Sequence, residues 1–301
     1  MPTMTRLPTL VTIPFSHYCE LARWTLDAAR VAYTEQGAMP GFHVLAVAKA
    51  TAAFKPPVQQ TPRAGSAWAV PLLVFEVEGQ QRVLQDSHEI AKHAAARSSL
   101  YPSADRDHKL RKAIDADLLH CHDRIGPSTR RFAYYHMFQS LDAASFAELA
   151  AKNGAPAWQT ALLSTPSVFA RMRGYISKGL GVSKERAARS EGYITAELDA
   201  LVERRLGAGA EGSTFLHGKQ ATLADLAFAS LLAPALGTTC HAAGVWLPQP
   251  ERLGAEYSEK AAAWRGHPGA QPIVELLERR NLVAVQNETE TDPEAAHTTA
   301  K

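Results

Sequence analysis

Cysteine is scarce in this chain. Cys19, Cys121 and Cys240 are the only three in 301 residues, an odd number set far apart. No disulfide framework is therefore expected, and a reducing, cytoplasmic setting fits best. Long apolar runs are lacking too: none approaches the roughly 18 residues that a membrane span needs. The opening MPTMTRLPTLVTIPF holds one arginine and no long apolar segment ending in small residues, so it does not read as a signal peptide. Neither charge is in excess, since 32 basic and 30 acidic residues leave a formal net charge of +2. That balance gives no electrostatic reason to expect nucleic acid or an anionic membrane as partner. No internal repeat is visible.

With 46% apolar residues, the chain can bury a sizeable core as one large domain or two modest ones. The first hundred residues alternate in pattern. TLVTI (9–13) is a β-rich run bounded by prolines. From Cys19, apolar residues recur at helical spacing through Leu21, Trp24 or Thr25, Ala28 and Val31, with Glu20, Arg23, Asp27 and Arg30 mostly opposite. Residues 39–69 are rich in Ala, Pro and Gly and predict an irregular connection with one short helix. VPLLVFEV (70–77), a turn at Glu78-Gly79-Gln80 and RVLQ (82–85) predict an antiparallel hairpin. A helix follows, capped by Asp86 or Ser87, with Glu89 at capping-box spacing.

Beyond LYPSADRD (100–107) the patterns are helical only. In 108–125, Leu110, Ala113 or Ile114, Leu118, Cys121 and Ile125 share one face; 188–206 is similarly amphipathic. ATLADLAFASLLAPAL (221–236) is almost wholly apolar and predicts a buried central helix capped by Thr222 and Asp225. The expected layout is an α/β N-terminal domain (1–98), a linker (99–107), an all-α C-terminal domain (108–284) and a disordered tail (285–301).

The chemistry concentrates in IPFSHYCELARW (13–24), where Ser16 and Cys19 stand at a strand-to-helix passage in a Ser-x-x-Cys frame. A helix N-terminus offers unpaired N–H groups and partial positive charge, which favour a thiolate placed there. Ser16 also reads as an ordinary cap. Cys19 reads either as a first-turn thiol of lowered pKa or as a small buried hydrophobe. Asp86 and Ser87 open another helix, whose N–H groups and hydroxyl suit a carboxylate while Asp86 meets an ammonium. His120-Cys121-His122-Asp123 cannot converge on one ion, because consecutive helical residues point about 100° apart. No metal site is assigned.

Four segments in this order and spacing resemble the soluble glutathione S-transferases: SHYCELARW, VPLL, QDSHEIAKH and TLADL, joined by LYP and GPSTRRFAYYHMF. The resemblance runs to about residue 282 and leaves the class unclear, serine-type with omega-, zeta- and tau-like features. It implies a thioredoxin-like domain followed by an all-helical one, and glutathione as co-substrate. It places Ser16 at the position of the family's catalytic Ser or Cys, and makes Val70-Pro71 a cis peptide whose Val70 backbone pairs with glutathione. Asp86 and Ser87 then bind the γ-glutamyl end. His17, Tyr18, Asp117, His120 and Arg124 are candidates for the second-substrate pocket, with Arg130, Arg131, Tyr134 and Tyr135 also within reach. In place of the cation that the family commonly carries before Val-Pro, the chain has SAWAVP, with His43, Lys55 and Arg63 as possible substitutes.

The leading expectation is conjugation of the glutathione thiolate to small, mostly apolar electrophiles, a detoxifying reaction, in a homodimer. Two alternatives stand beside it. One is glutathione-dependent thiol or disulfide exchange through Cys19, which a buried Cys19 would exclude. The other is a non-catalytic ligand-binding or interaction protein with the same fold.

Overall fold

The computed structural model describes residues 7–52, 66–96, 98–103, 105–207, 215–238 and 245–289. Four strands form one sheet: β1 (Thr9–Thr12), β2 (Thr34–Gly37), β3 (Leu72–Val77) and β4 (Gln80–Gln85), in the order β2-β1-β3-β4. β2 runs parallel to β1, and β3 lies antiparallel to β1 and to β4. Helices α1 (His17–Ala28), α2 (His43–Thr51) and α3 (Ser87–Ala95) accompany it.

Alternation along the strands divides the core. Leu10 and Leu73 pack with Ala22 and Leu26 of α1 and Ile90 and Ala94 of α3. Val11 and Leu72 face the other way, onto Ala46 and Val47 of α2. The registers Val11↔Leu72 and Leu72↔Gln85 bring three chain points to one end of the sheet. These are the exit of β1, the entry of β3 and the exit of β4, so α1 and α3 both begin at that end.

The remaining helices are α4 (His108–His120), α5 (Gly126–Ser140), α6 (Ala143–Lys152), α7 (Ala157–Leu163), α8 (Pro166–Leu180), α9 (Lys184–Gly207), α10 (Leu223–Leu236), α11 (Ala255–Arg265) and α12 (Gln271–Thr289). All but Pro234 of the fourteen residues of α10 are buried, as its unbroken apolar run predicts. The Asp225 carboxylate accepts from the Thr222 backbone N–H and hydroxyl at 2.8 Å each and from the Leu216 N–H at 2.9 Å. An N–H···O bond of 2.8 Å from Leu223 to the Leu100 carbonyl ties this helix to the segment after α3. The order is thioredoxin-like α/β first, all-helical second. Among the described residues no helix is long and apolar enough to cross a membrane.

Three expectations change. Residues 34–37 form β2, which its TEQG sequence hides: the strand is mostly exposed and held by pairing rather than burial. Glu20 and Arg23, assigned to the outward side of α1, are 1% and 0% exposed. The Arg23 guanidinium donates to Glu20 at 3.0 Å, to both oxygens of Glu35 at 2.9 and 3.0 Å, and to the Pro14 carbonyl at 2.8 Å. Arg280 of α12 closes the network on Glu20 at 2.9 Å. Finally, the tail expected from residue 285 begins inside α12, which continues to Thr289; extending an established helix fixes one residue per added hydrogen bond. Residues 290–301 lie outside the described ones.

Candidate functional site

Pro14 stops β1 and Ser16 caps α1 in extended conformation (φ −79°, ψ 123°). The Ser16 Oγ accepts from the Cys19 N–H at 3.5 Å, a long bond at the limit of hydrogen-bond geometry. Half-buried Ser16 is thus only weakly engaged as a cap, and its O–H can be donated elsewhere. Cys19 points into the protein, with 0% exposure. Burial pushes its thiol up to about 11, and the charge of Arg23 only partly offsets that. The reading of Cys19 as a redox thiol is therefore corrected, since neither thiolate nor access is available.

At the same sheet end, the Val70–Pro71 peptide is cis. Among the described residues, the N–H and C=O of half-buried Val70 make no hydrogen bond. The loop before it is clamped by buried Gln85, whose side-chain amide donates to the carbonyls of Ser66, Ala67 and Ala69 at 3.2, 3.1 and 2.8 Å. Gln85 is a positioning residue that pattern reading missed. The capping signal that marked the next two residues stopped just short of it. Trp68 is exposed. Half-buried His43 accepts from the Gly41 N–H at 3.1 Å, while Lys55 and Arg63 lie outside the described residues.

Asp86 sits at φ 100° and caps α3 through the His88 N–H at 2.8 Å. Its second oxygen stands 3.4 Å from Nε2 of His122, an ion-pair distance without hydrogen-bond geometry. Burial would raise the Asp86 carboxyl, but the His122 imidazole and the His88 N–H bring it below the usual range. His122 moves up instead: burial opposes its charge, and Asp86 and Asp123 outweigh that. The Ser87 hydroxyl is buried with no hydrogen-bond partner among the described residues. An unpaired hydroxyl at a helix N-terminus beside a carboxylate fits the carboxylate and ammonium of an amino acid head group, and the free Val70 backbone fits a peptide. The residues present are thus suited to glutathione.

His122 lies in a π-helical turn, Cys121–Ile125, between α4 and α5. Its carbonyl accepts from the Tyr18 hydroxyl at 3.0 Å, and the Gly126 carbonyl pairs with Nε2 of His17 at 3.0 Å. Gly126 is required here, because an added Cβ would run into the Tyr18 hydroxyl. His17 and Tyr18 therefore join the sheet-bearing half to the helical half.

A pocket whose empty space, open solvent included, is about 550 Å³ lies beside this joint. Phe15 and His17, the neighbours of Ser16, line it together with Arg130, Tyr134 and Met137 of α5 and Leu253. Burial pushes the Tyr134 hydroxyl up to about 12, so it stays protonated. Burial also lowers Arg131, and the neighbouring Arg130, Arg186 and Arg189 act in the same direction. Of the five second-substrate candidates, His17 alone lines the pocket, and Tyr18 packs beside it under Arg130 at 5.6 Å.

The other three are corrected. Asp117 is buried, and Arg204 at 2.7 Å and His217 at 2.8 Å lower its carboxyl against the effect of burial. His120 is bound to Glu197 at 2.7 Å, which raises its pKa. Arg124 is exposed on the π turn and does not line the pocket. Each is drawn off by a partner or a helix face that spacing within α4 does not reveal.

Neither a protein-family model nor a curated protein sequence matches the chain. Solved structures do. A glutathione transferase from Phanerochaete chrysosporium matches at 16% identity and TM-score 0.56, covering 94% of this chain and 98% of that one. One from Ceriporiopsis subvermispora, solved in complex with glutathione, matches at 15% identity and TM-score 0.56, covering 91% and 98%. A third, from Xanthobacter autotrophicus, matches at 15% identity and TM-score 0.51, covering 89% and 91%. From the cis peptide to the all-helical second half, this chain has the fold of the glutathione S-transferases.

Proposed function

We propose that the protein is a glutathione transferase that joins the glutathione thiolate to small, mostly apolar electrophiles. The observation that carries this reading is the convergence at one sheet end of three polar groups, two without a hydrogen-bond partner among the described residues and one held only by a long cap bond. They are the Ser16 hydroxyl at the start of α1, the Val70 backbone and the buried Ser87 hydroxyl. Val70 pairs with the peptide backbone of glutathione, Ser87 and the α3 N-terminus take its γ-glutamyl carboxylate, and Asp86 takes its ammonium. Ser16 donates to the sulfur. The thiol proton leaves to solvent, the sulfur forms a bond to the electrophilic carbon, and the leaving group departs with its electron pair. Lowering the thiol pKa by two or three units amounts to about 3–4 kcal/mol of differential stabilisation. The setting is a cytoplasmic two-fold dimer, and the role is detoxification.

The test is calorimetric titration of reduced glutathione into wild type and Ser16→Ala, beside a rate assay with 1-chloro-2,4-dinitrobenzene. Wild type binds and turns over, whereas Ser16→Ala binds normally and loses most of the rate. Failure of glutathione to bind sinks the reading. A non-catalytic ligand-binding role is favoured by one observation, the occupation of Asp86 by His122. That role predicts pocket ligands that bind without turnover.

A further inference from the structure

Arg130 sits at an unusual place for a cation. It lines the pocket beside apolar side chains such as Phe15, Met137, Leu247 and Leu253. Its Nε is buried and without a hydrogen-bond partner. No carboxylate lies within ion-pair distance of it among the described residues, and its one ring contact is the Tyr18 face. Arg131 beside it carries the same sign, and Asp86 and Asp123 act with Arg130 on Tyr18 without coming within ion-pair distance of the guanidinium. A guanidinium half withdrawn from water without a counter-ion is poorly solvated, and a carboxylate presented to its fork would restore that solvation. One turn on, Tyr134 lines the same cavity with a phenol hydroxyl that has no partner among the described residues. A paired donor and cation at one side of an apolar cavity read an anion attached to an apolar body.

We infer that the pocket selects a small apolar molecule carrying a single carboxylate, with Arg130 and Tyr134 holding the carboxylate and the apolar walls holding the rest. Arg130 is then the specificity-determining residue of the second-substrate site. As an assignment of the acceptor substrate this rests on the conjugation reading above; as an assignment of a binding site it does not.

Titration calorimetry with 6-phenylhexanoate and its neutral isostere 6-phenylhexanamide tests it, with no glutathione present. At neutral pH the acid binds wild type about tenfold or more tighter than the amide, as one charge-assisted hydrogen-bonded contact allows. Arg130→Met and Arg130→Gln lose that preference while keeping the amide affinity, which shows that the cavity is still formed. Arg124→Met, on the exposed π turn, keeps both affinities. Equal binding of acid and amide by wild type, or a preference that survives both Arg130 variants, overturns the inference. A protein that prefers the acid but does not bind glutathione sinks the conjugation reading alone; one that binds glutathione but shows no acid preference sinks this inference alone.

Discussion

Replacing Arg23 by methionine removes the more deeply buried of the two cations bound to Glu20 in the first turn of α1. The wild-type side chain is 0% exposed and makes four hydrogen bonds to protein oxygens, three of them to carboxylates. Methionine fills a similar volume, so the loss is electrostatic rather than a cavity. Glu20, 1% exposed, loses one cation and keeps Arg280, and Glu35, whose side chain is 29% exposed, recovers part of its hydration. Removing one partner of a buried ion pair costs about 3–5 kcal/mol. The surviving Arg280 contact and the exposure of Glu35 put Arg23→Met near the lower end, about 3 kcal/mol. For a chain of this size that corresponds to a melting shift of roughly 5 °C. Scanning calorimetry reads it directly, and Glu20→Gln in the Arg23→Met background recovers part of the loss because it removes the stranded charge. Arg23→Lys falls between, since an ammonium cannot hold the Glu35 fork and the Pro14 carbonyl at once. A melting point for Arg23→Met within 2 °C of wild type would falsify the argument that the network holds the corner bearing Ser16.

Three further outcomes follow from the site. The His122–Asp86 pair stabilises the fold most between the lowered carboxylate value and the raised imidazole value. The Asp86 contribution is lost as pH falls through its folded pKa, and the His122 contribution as pH rises through its own. NMR titration of His122 shows a value above the usual 6.5 that falls in Asp86→Asn, and an unchanged value refutes the pairing. Gly126→Ala forces the Tyr18 hydroxyl off the helix backbone and destabilises by about 1–3 kcal/mol in urea denaturation; no loss means that Tyr18 does not pack there. Cys19 reacts with a thiol reagent only on unfolding, so rapid labelling of native Cys240→Ser protein, mapped to Cys19 by mass spectrometry, contradicts its burial.

The parts of the fold that were legible in the sequence are those whose pattern closes locally. α10 is apolar on every face and capped by its own Thr222 and Asp225, and the hairpin of β3 and β4 carries its own turn. Asp86 and Ser87 were found because capping is a three-residue relation. What escaped depends on distant partners. Glu20 and Arg23 look like a solvated face until Glu35 and Arg280, the latter 260 residues from Glu20, turn that face inward. β2 has no apolar alternation because it is an edge held by β1. Asp117 and His120 were drawn to Arg204 and Glu197 on α9, and no spacing within α4 could announce that. His122 met Asp86 for a similar reason, from a turn whose irregularity has no signature in CHDRI.

That irregular turn sets a phase. In Cys121–Ile125 the Gly126 N–H reaches back five residues, to Cys121, instead of four. One residue more than an α turn rotates everything downstream by about 100° about the helix axis. Ile114 and Leu118 before the turn and Cys121 at its start are buried in the main core, while Arg130, Ala133, Tyr134 and Met137 after it line the pocket. Deleting a single residue from the turn would leave two good helices and swing that second set away from Phe15 and His17. The meeting of α5 with Phe15 and His17 at the pocket is in this sense a matter of counting, and a one-codon insertion or deletion at this spot would redirect it without touching a single lining side chain.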